Sequence, residues 1–280
     1  MRAAVVGHVE WVQFVAVDHV PLRGEILHAN EWWEEPGGGG AGAVVQLQKL
    51  TGAATFFTAV GDDSLGGAAR SFFESQGVVV EAAVRPEPSR RALTFVEPGG
   101  ERTITVLGAR LAPARGDRLA WDALKGADTV YFTAGDEDAL RAARAARVLV
   151  ATTRVLPLLA GSGVYLDAVV GSALDSGESY ARGDLAPEPG LAVMTEGEAG
   201  GSYWTAGGET KRYAAAPTPG PVVDRYGAGD SFAAGLAYAL ATGRAPADAV
   251  ALAARCGAAA VAGRGPYGGQ LTGDDVEEEA

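Results

Sequence analysis

Short apolar runs alternate with alanine-rich stretches over most of this chain, and the alternation limits the folds available to it. The runs Ala3–Val6, Thr55–Val60 and Val78–Val84 are short and rich in small or β-branched residues. Further runs of this kind are Thr129–Thr133, Val148–Ala151, Val164–Val170 and Leu191–Met194. Continuous apolar runs of this length are typical of strands that are buried on both faces of a parallel sheet.

Helical segments separate these runs. Gly39–Leu50 precedes Gly52, which fits a helix end, and Ser64–Gln76 and Asp138–Arg147 are further helix candidates. The rhythm predicts an α/β fold with a doubly wound, mostly parallel sheet and helices on both faces. Since the chain has 280 residues, 48% of them hydrophobic, we expect one domain over residues 1–280.

Two segments interrupt this rhythm, because alternation and turn signals follow each other there without a helix between them. They are Phe14–His28 and Arg91–Leu107. In the second, Glu97–Arg102 contains Pro and Gly residues and predicts a hairpin turn between two short strands. We expect the two segments, about 14–28 and 91–107, to form a small β-sheet in the position of a lid. An edge extension of the main sheet fits the pattern almost as well.

The overall charge and the single cysteine narrow the class of protein. The net charge is −12 and no basic cluster larger than a pair such as Arg90 with Arg91 is present, so nucleic acid is not an expected partner. Cys256 is the only cysteine, which excludes an intramolecular disulfide and fits a reducing compartment. No apolar run approaches the roughly 18 residues of a membrane span, and the amino terminus lacks the run of a signal peptide. We therefore expect a cytoplasmic protein that does not bind membranes.

The stretch from Val222 to Gly235 carries the strongest chemical signal. Val222 and Val223 predict a strand, and a turn with two glycines, Gly227–Gly229, leads into an alanine-rich helix. Glycines in such a turn let the backbone approach a ligand closely. The first amides of a helix lack intrahelical partners, and the helix dipole adds partial positive charge there. The arrangement predicts an anion-binding site at the start of this helix.

Asp230 stands at the same helix end and has two interpretations. As an N-cap, its carboxylate would accept hydrogen bonds from its own helix. As a general base, it would instead face a substrate hydroxyl, and phosphoryl transfer requires only a modest base. The spacing favours neither role over the other.

The segment from Asp224 to Phe232 resembles the C-terminal signature of the ribokinase-like (PfkB) carbohydrate kinases. The resemblance continues along nearly the whole chain, in the family's order. Its other parts are Val5–Gly7 with Pro21–Glu25, Gly37–Gly42, Ala59–Gly66, Gly100–Ile104 and Met194–Gly201. One glycine motif is weak evidence, but this ordered set, ending in Gly-Ala-Gly-Asp, is specific.

The resemblance implies a ribokinase-like fold with a β lid, and transfer of the γ-phosphate of ATP to an alcohol with Mg²⁺ present. It makes Asp230 the general base and the amides of Gly227, Ala228 and Gly229 the anion hole. A homodimer through the lid is a further expectation. The nucleotide-binding residues that it implies are Thr195, Gly197, Gly200, Arg225, Cys256 and Gly257.

The acceptor end departs from the family's pattern. Arg225 stands where the signature usually has Thr, and Val12 lies near the place of an Asp that holds sugar hydroxyls. The glycine-rich segment also lacks the family's substrate-binding Asn. Other side chains and backbone groups would therefore take over the acceptor. The expected acceptor residues are Glu10, Gln13, Gly38, Gly39, Gly40 and Asp230.

The family's Asn-x-x-Glu motif, which is linked to Mg²⁺ and phosphate placement, is reduced here to Ser172–Asp175 with Glu178 nearby. Asp175 and Glu178 are therefore the candidate metal residues. Mg²⁺ usually keeps several waters, so we expect phosphates and water to supply most of its ligands. The three histidines do not cluster and receive no catalytic role, although His8 lies near the acceptor site by analogy.

Three functions stay open, the first being a kinase for a sugar or sugar-like polyol. The second is a kinase of the same fold for a nucleoside or a vitamin-like heterocycle, on which Trp11, Trp32 or Trp33 would stack. The third is a weakly active relative that binds and senses a metabolite. The lost acceptor Asp and Asn favour the sensor, whereas the retained Asp230 and its glycines favour a kinase.

Overall fold

A computed structural model describes residues 1–277, and residues 278–280 of the expected unit lie outside the described residues. In chain order the strands are β1 (Ala3–Val6), β2 (Glu10–Ala16), β3 (Glu31–Gly37), β4 (Ala54–Gly61), β5 (Val79–Arg85), β6 (Arg91–Val96), β7 (Arg102–Leu107), β8 (Thr129–Phe132), β9 (Val148–Thr152), β10 (Ala168–Ser172), β11 (Leu191–Thr195), β12 (Gly201–Thr205) and β13 (Lys211–Tyr213). The helices are α1 (Gly39–Thr51), α2 (Ser64–Ser75), α3 (Glu137–Ala143), α4 (Leu156–Ser162), α5 (Ala228–Ala241), α6 (Pro246–Ala260) and α7 (Gly273–Glu277).

Nine strands form the main sheet, in the order β13-β12-β11-β10-β9-β8-β1-β4-β5. Neighbouring strands from β11 to β5 are parallel, and β12 and β13 extend one edge in antiparallel pairing. In β1, Ala3 pairs with Thr129 on one side and with Ala54 on the other. All four residues of β1 are buried, which explains why the sequence shows an uninterrupted apolar run there.

The helices cover both faces of this sheet. Ala3 and Val5 of β1 face the layer that contains α1, α2, α5 and α6, whereas Ala4 and Val6 face α3 and α4. The arrangement confirms the doubly wound α/β fold. Because the parallel strands end at one common edge, the loops that follow β1, β8, β9, β10 and β11 meet there, which is where open α/β sheets bind ligands.

Four strands form a second, smaller sheet in the order β3-β2-β6-β7. Strand β2 pairs antiparallel with β3 and parallel with β6, and β6 and β7 form a hairpin. One face of this sheet buries Val12, Phe14 and Ala92 against Tyr226, which precedes α5. The second sheet therefore packs directly on the segment that carries the glycine motif.

The bounds of two elements differ from the sequence prediction. Helix α3 ends at Ala143 instead of Arg147, because the chain turns there and the side chain of Arg144 bonds the carbonyl oxygen of Ala146 at 2.8 Å. Strand β10 begins at Ala168 instead of Val164. Most other elements agree with the prediction to within two residues.

The first lid segment also differs from the prediction. Strand β2 begins at Glu10 and ends at Ala16, and residues 17–30 form a loop. Its antiparallel partner is β3, Glu31–Gly37, a strand that the sequence did not reveal because its Glu, Trp, Pro and Gly residues lack alternation. The second segment agrees with the prediction, since β6 and β7 flank the turn around Pro98.

The strand predicted at Val222 and Val223 is wrong. The amide of Val223 donates a hydrogen bond to the carbonyl oxygen of Val261 at 2.8 Å, so this segment is held by the end of α6 and not by a sheet neighbour. A β-branched pair favours extended backbone but does not by itself supply a partner strand.

Candidate active site

Helix α5 begins at the glycine turn that the sequence predicts. Gly227 precedes the helix with φ of 80°, a conformation that side chains disfavour, and a Cβ on it would lie 3.0 Å from Pro266 Cα. The buried carboxylate of Asp224 fixes the turn by accepting hydrogen bonds from the amides of Tyr226 (2.9 Å) and Gly265 (3.1 Å). The free amides of the first helical turn are therefore held in a defined place.

Asp230 is the third residue of α5 and does not cap it. The residue before the helix is Gly227, and no side chain makes a capping hydrogen bond there. Within residues 1–277, the carboxylate of Asp230 has neither a hydrogen bond nor an ion pair. Its carboxylate faces α1, where a Cβ on Gly39 would lie 3.3 Å from Oδ1 and one on Gly42 would lie 3.2 Å from Oδ2. The capping interpretation is therefore wrong.

The electrostatics of Asp230 suit a proton acceptor at neutral pH. Burial, and after it the charge of Glu178, raise the pKa of its carboxyl from 3.8 to about 7. Arg154 and Arg102 act in the opposite direction but do not cancel the shift. A carboxyl with this pKa exchanges its proton in the range where general bases work.

The amino terminus of α1 lies beside that of α5. The amide of Gly38, the residue before α1, donates a hydrogen bond to the hydroxyl of Tyr226 at 3.0 Å. That hydroxyl donates in turn to Glu10 Oε1 at 3.3 Å. One buried tyrosine thus joins the second sheet, α1 and the turn before α5. Of the expected acceptor residues, Glu10, Gly38 and Gly39 are brought together with Asp230.

His8 follows β1 and packs against the start of α1. A Cβ on Gly38 would lie 3.1 Å from His8 Nε2, and one on Gly40 would lie 2.7 Å from its carbonyl oxygen, so both glycines make room for it. The Nδ1 atom of His8 is buried and has no hydrogen-bond partner among the described residues. Burial, followed by the charges of nearby arginines, lowers the pKa of His8 to about 3, so the ring is neutral.

Three arginines, Arg90, Arg110 and Arg154, surround this end of the site and are called the arginine group below. All three lower the pKa of His8 through their charge, Arg110 most strongly. Arg90 is largely buried and pairs with Glu10 at 3.0 Å. Arg110 has no ion pair or hydrogen bond in the described part of the chain.

Asp175 and Glu178, the candidate metal residues, both bind Arg154. Asp175 Oδ2 lies 3.1 Å from the guanidinium, and Glu178 contacts the same nitrogen. Both acids follow β10 at the carboxyl edge of the sheet, and Glu178 is near enough to raise the pKa of Asp230. Within residues 1–277, no group of three or more His, Cys, Asp or Glu side chains is placed to hold a metal ion.

The predicted nucleotide loop joins β11 to β12 at the same edge of the sheet. Thr195 ends β11, and Gly197 and Gly200 take φ values of 59° and 82° in the turn that follows. Glu198 of this turn pairs with Arg225, which ties the loop to the segment before α5. The structure thus brings four of the predicted nucleotide residues to one side of the glycine turn.

Gln13 lies apart from the other acceptor candidates. Successive residues of a strand point to opposite faces, so Gln13 and Glu10 leave β2 on opposite sides. Gln13 bonds Glu34 of β3, and the indole N–H of Trp11 donates to the same carboxylate at 2.8 Å. Gln13 therefore does not join the cluster around Asp230.

A model of the pfkB family carbohydrate kinases matches residues 2–163 and 166–272 of the chain. The chain belongs to this family. Similar solved structures are a microbiome-derived acarbose kinase (22% identity, 99% of this chain and 98% of that chain, TM-score 0.84), adenosine kinase from Sinorhizobium meliloti (21%, 100% and 99%, 0.80) and Arabidopsis thaliana ribokinase complexed with ribose and ATP (18%, 99% and 97%, 0.77). Their likeness shows a ribokinase-like fold. No curated protein sequence matches the chain.

Cys256 lies in the core of this PfkB-family protein. It is fully buried in α6, where a Cβ on Gly235 would lie 2.7 Å from its sulfur, and burial raises the pKa of the thiol to about 12. Gly257 packs on the start of α5, since a Cβ on it would lie 3.3 Å from the carbonyl oxygen of Ala228. The thiol is therefore buried in the packing between α6 and α5, and contact of a nucleotide with the stretch around Cys256 and Gly257 stays a prediction.

Sequence reasoning missed the arginine group and gave His8 no role. These four residues belong to separate parts of the PfkB-family fold. His8 follows β1, whereas the arginines precede β6 (Arg90), follow β7 (Arg110) and follow β9 (Arg154). Only the order of the strands in the two sheets brings these loops together. The sole hint in the sequence is the pair Arg90 and Arg91, and it does not say which of the two points inward.

None of the helices within residues 1–277 has the length and the apolar character of a membrane span.

Proposed function

We propose that this PfkB-family protein is an ATP-dependent kinase that transfers the γ-phosphate to a hydroxyl group of a sugar or sugar-like small molecule. The observation that carries the proposal is Asp230. It combines a carboxylate without a partner in residues 1–277, a pKa raised to about 7 and a position between the amino termini of α5 and α1. A perturbed acid in such a place is a candidate for a general base.

In this mechanism, Asp230 accepts the proton of the acceptor hydroxyl while that oxygen attacks the γ-phosphorus. The new bond joins the acceptor oxygen to phosphorus, the bond between phosphorus and the bridging oxygen breaks, and ADP leaves with the bonding electrons. Because the transition state of phosphoryl transfer is loose, positioning and charge stabilisation contribute more than proton removal.

The amides of Gly227, Ala228 and Gly229 would stabilise the phosphoryl group during transfer. They stand at the positive end of the dipole of α5, and backbone donors held in place need no reorganisation when charge develops. The nucleotide would lie along the loop from Thr195 to Gly200, next to this turn. Arg225 would approach the phosphates by exchanging its contact with Glu198 for them.

Mg²⁺ belongs to the proposal as the partner of ATP, whose phosphate charge it would neutralise when bound. Asp175 and Glu178 fit such an ion because they offer the carboxylate oxygens that Mg²⁺ prefers. Arg154 holds both acids at the carboxyl edge of the sheet, and its charge also helps to lower the pKa of Asp175 after the hydrogen bond from the Gly177 amide.

The second sheet would act as the lid over the acceptor. Its inner face carries Val12, buried with Phe14, at the place where the family's pattern has the sugar-binding Asp. Its outer face exposes Trp32 (68% exposed), which supports the expected homodimer through this sheet. Closure of such a lid would exclude water and limit wasteful hydrolysis of ATP.

A nucleoside acceptor is less well supported. The adenosine kinase from Sinorhizobium meliloti shares the fold, but two of the tryptophans that would stack on a base already contact other side chains. Trp11 bonds Glu34 on the face of β2 opposite to Glu10, and the ring of Trp33 on the inner face is stacked on Phe14 with 4.9 Å between the ring centroids.

A product assay tests the proposed function. The protein is incubated with ATP, Mg²⁺ and one member at a time of a panel of sugars, polyols, sugar derivatives and nucleosides, and products are detected by mass spectrometry. We expect one phosphorylated acceptor for each ADP formed with a sugar-like member, and none with excess EDTA. Simultaneous binding of an acceptor and MgATP without product would contradict the kinase and support the sensor.

A further inference from the structure

The arginine group bears on a property that the proposed function leaves open, the charge of the acceptor. Arg90 is paired with Glu10, and Arg154 is paired with two acids. Arg110 alone lacks a partner in residues 1–277, although it lies near both of the others. The charge of Glu10 offsets the repulsion by these two arginines only in part, and Glu10 is itself paired with Arg90. A guanidinium next to like charges and without an ion pair of its own is electrostatically unfavourable, and an anionic ligand would relieve it.

The position of Arg110 is fixed by its neighbours in the chain. A Cβ on Gly108 would lie 4.0 Å from Arg90 Cα, so the loop after β7 runs beside Arg90. On the other side, Leu111 is buried against Ala59 and Ala83 of the main sheet. Partial burial and the charges of Arg90 and Arg154 lower the pKa of Arg110 itself. Its backbone is thus anchored, while its side chain stays accessible from solvent.

Arg110 converges with two other groups that favour an anion. His8 packs against Gly38 at the start of α1. The charge of Arg110 lowers the pKa of His8 more than the charge of any other residue does. Helix α1 has 13 residues, and its first amides and its dipole favour negative charge at this end. The buried Nδ1 of His8 adds a polar atom without a partner among the described residues.

The acids of the site leave Arg110 without an ion pair. Glu10 is paired with Arg90, Asp175 and Glu178 are paired with Arg154, and burial keeps Asp230 partly protonated near neutral pH. Arg110 is therefore the member of the arginine group whose guanidinium no carboxylate of the described residues contacts, although the whole chain carries a net charge of −12. At the same time, the resemblance to the family implies an Asp and an Asn that bind neutral hydroxyls, and this chain has Val12 and glycine at those places.

We propose that the acceptor carries an anionic group, a phosphate or a carboxylate, in addition to the hydroxyl that receives the phosphoryl group, and that Arg110 binds this anion beside the amino terminus of α1. Arg90 flanks the same anion. The substrate class is then a sugar phosphate or a sugar acid. This inference rests on the proposed function, because it takes the acceptor to lie between Asp230 and the start of α1.

Calorimetric titration of matched pairs tests the inference. The probes are ribose with ribose 5-phosphate, fructose with fructose 6-phosphate and glucose with gluconate, and inorganic phosphate serves as the free ion. The proteins are the wild type, Arg110→Gln and, as the matched control, Arg118→Gln. Arg118 is an exposed arginine of the same connecting segment and has no ion pair or hydrogen bond in the described residues.

We expect at least one charged probe to bind the wild type about tenfold or more tightly than its neutral partner, as a charge-assisted contact predicts. Arg110→Gln should reduce that ratio by about 10- to 100-fold, whereas Arg118→Gln should preserve it. Comparison of the sugar phosphates with gluconate shows whether the bound anionic group is a phosphate or a carboxylate. Charged probes that bind no better than their neutral partners would overturn the inference, and so would an Arg110→Gln variant that loses affinity for MgATP instead.

Turnover of the same probes separates this inference from the proposed function. A charged probe that binds in an Arg110-dependent way but is never phosphorylated would support the anion site and contradict the proposed kinase activity. Phosphorylation of a neutral sugar by a wild type that binds none of the charged probes would support the kinase activity and contradict the anion site.

Discussion

Helices α5 and α6 pack against each other, and each has an aspartate as its third residue, yet the two aspartates have different surroundings. Asp230 of α5 is half-buried, and its pKa is raised to about 7. Asp248 of α6 is exposed at the surface. Helix α6 begins with Pro246, an ordinary first residue, whereas α5 follows Gly227 in a left-handed conformation.

The difference shows that surroundings outweigh position in the helix. A helix dipole stabilises a first-turn carboxylate by about 0.3–1 kcal/mol, which is less than one pKa unit. Removal of water acts in the opposite direction and raises the pKa of a buried carboxyl by up to about 3–5 units. Around Asp230 the second effect prevails, because Gly39 and Gly42 of α1 let two helices close over the carboxylate.

The largest expected effect is a difference in turnover between variants of the two aspartates. Asp230→Asn keeps the shape of the side chain but removes the proton acceptor, so kcat should fall by about 10²–10⁴-fold while the affinity for MgATP is retained. Asp248→Asn makes the same change at the same helical position and should leave kcat near that of the wild type. Steady-state kinetics with an accepted substrate measures both.

An Asp230→Asn enzyme with nearly full turnover would break the comparison. It would keep the kinase but take the role of base away from this residue.

The next effect concerns stability as a function of pH. The pKa of Asp230 is about 7 in the folded protein against 3.8 as the reference for an exposed carboxyl, so the folded state binds this proton more tightly. The free energy of unfolding should therefore fall as the pH rises through the interval between these two values. A shift of this size corresponds to at most about 4 kcal/mol.

Urea unfolding near pH ~8 should then find Asp230→Asn more stable than the wild type, with a smaller difference near pH ~4. Asp248→Asn, the exposed control, should show no such gain. A loss of stability in Asp230→Asn at the higher pH would mean that the ionised carboxylate has a stabilising partner such as Arg154.

The smallest effect compares the two glycines that flank α5. Gly227 and Gly243 have nearly equal φ values, 80° and 81°, but a Cβ on Gly243 meets no atom within 4 Å, whereas one on Gly227 meets Pro266 at 3.0 Å. Gly243→Ala should lower the free energy of unfolding by about 1–2 kcal/mol through backbone strain alone. Gly227→Ala should cost more and should also reduce turnover, because the amides of the turn move. Equal losses from the two variants would show that Pro266 does not hold the turn.

The sequence allowed good prediction where the signal was local. Strand β1 lies at Ala3–Val6 as predicted, and α2 begins at Ser64, because apolar runs and a capping Asp63 act over a few residues. Strand β3 escaped prediction because it exists through its pairing with β2, and nothing in its own composition favours a strand. The opposite error occurred at Val222 and Val223, where suitable residues found no partner strand.

The same distinction applies to the site. The glycine turn and Asp230 are contiguous, so one motif located them before the structure did. Arg110 and His8 are separated by about a hundred residues and meet only because the two sheets place the loops after β7 and β1 together. The spacing of residues in the sequence does not reveal such long-range proximity unless the topology is already known.

Tyr226 determines when the site can be completed during synthesis, because the ribosome produces the chain from its amino terminus. Its hydroxyl joins Gly38 and Glu10, which precede it by 188 and 216 positions in the chain. A nascent chain that has already formed β1, α1 and the second sheet still lacks this tyrosine and the aspartate four residues after it. The part of the site contributed early in synthesis therefore waits for the part contributed late, and no incomplete chain can carry out the reaction proposed for the finished protein.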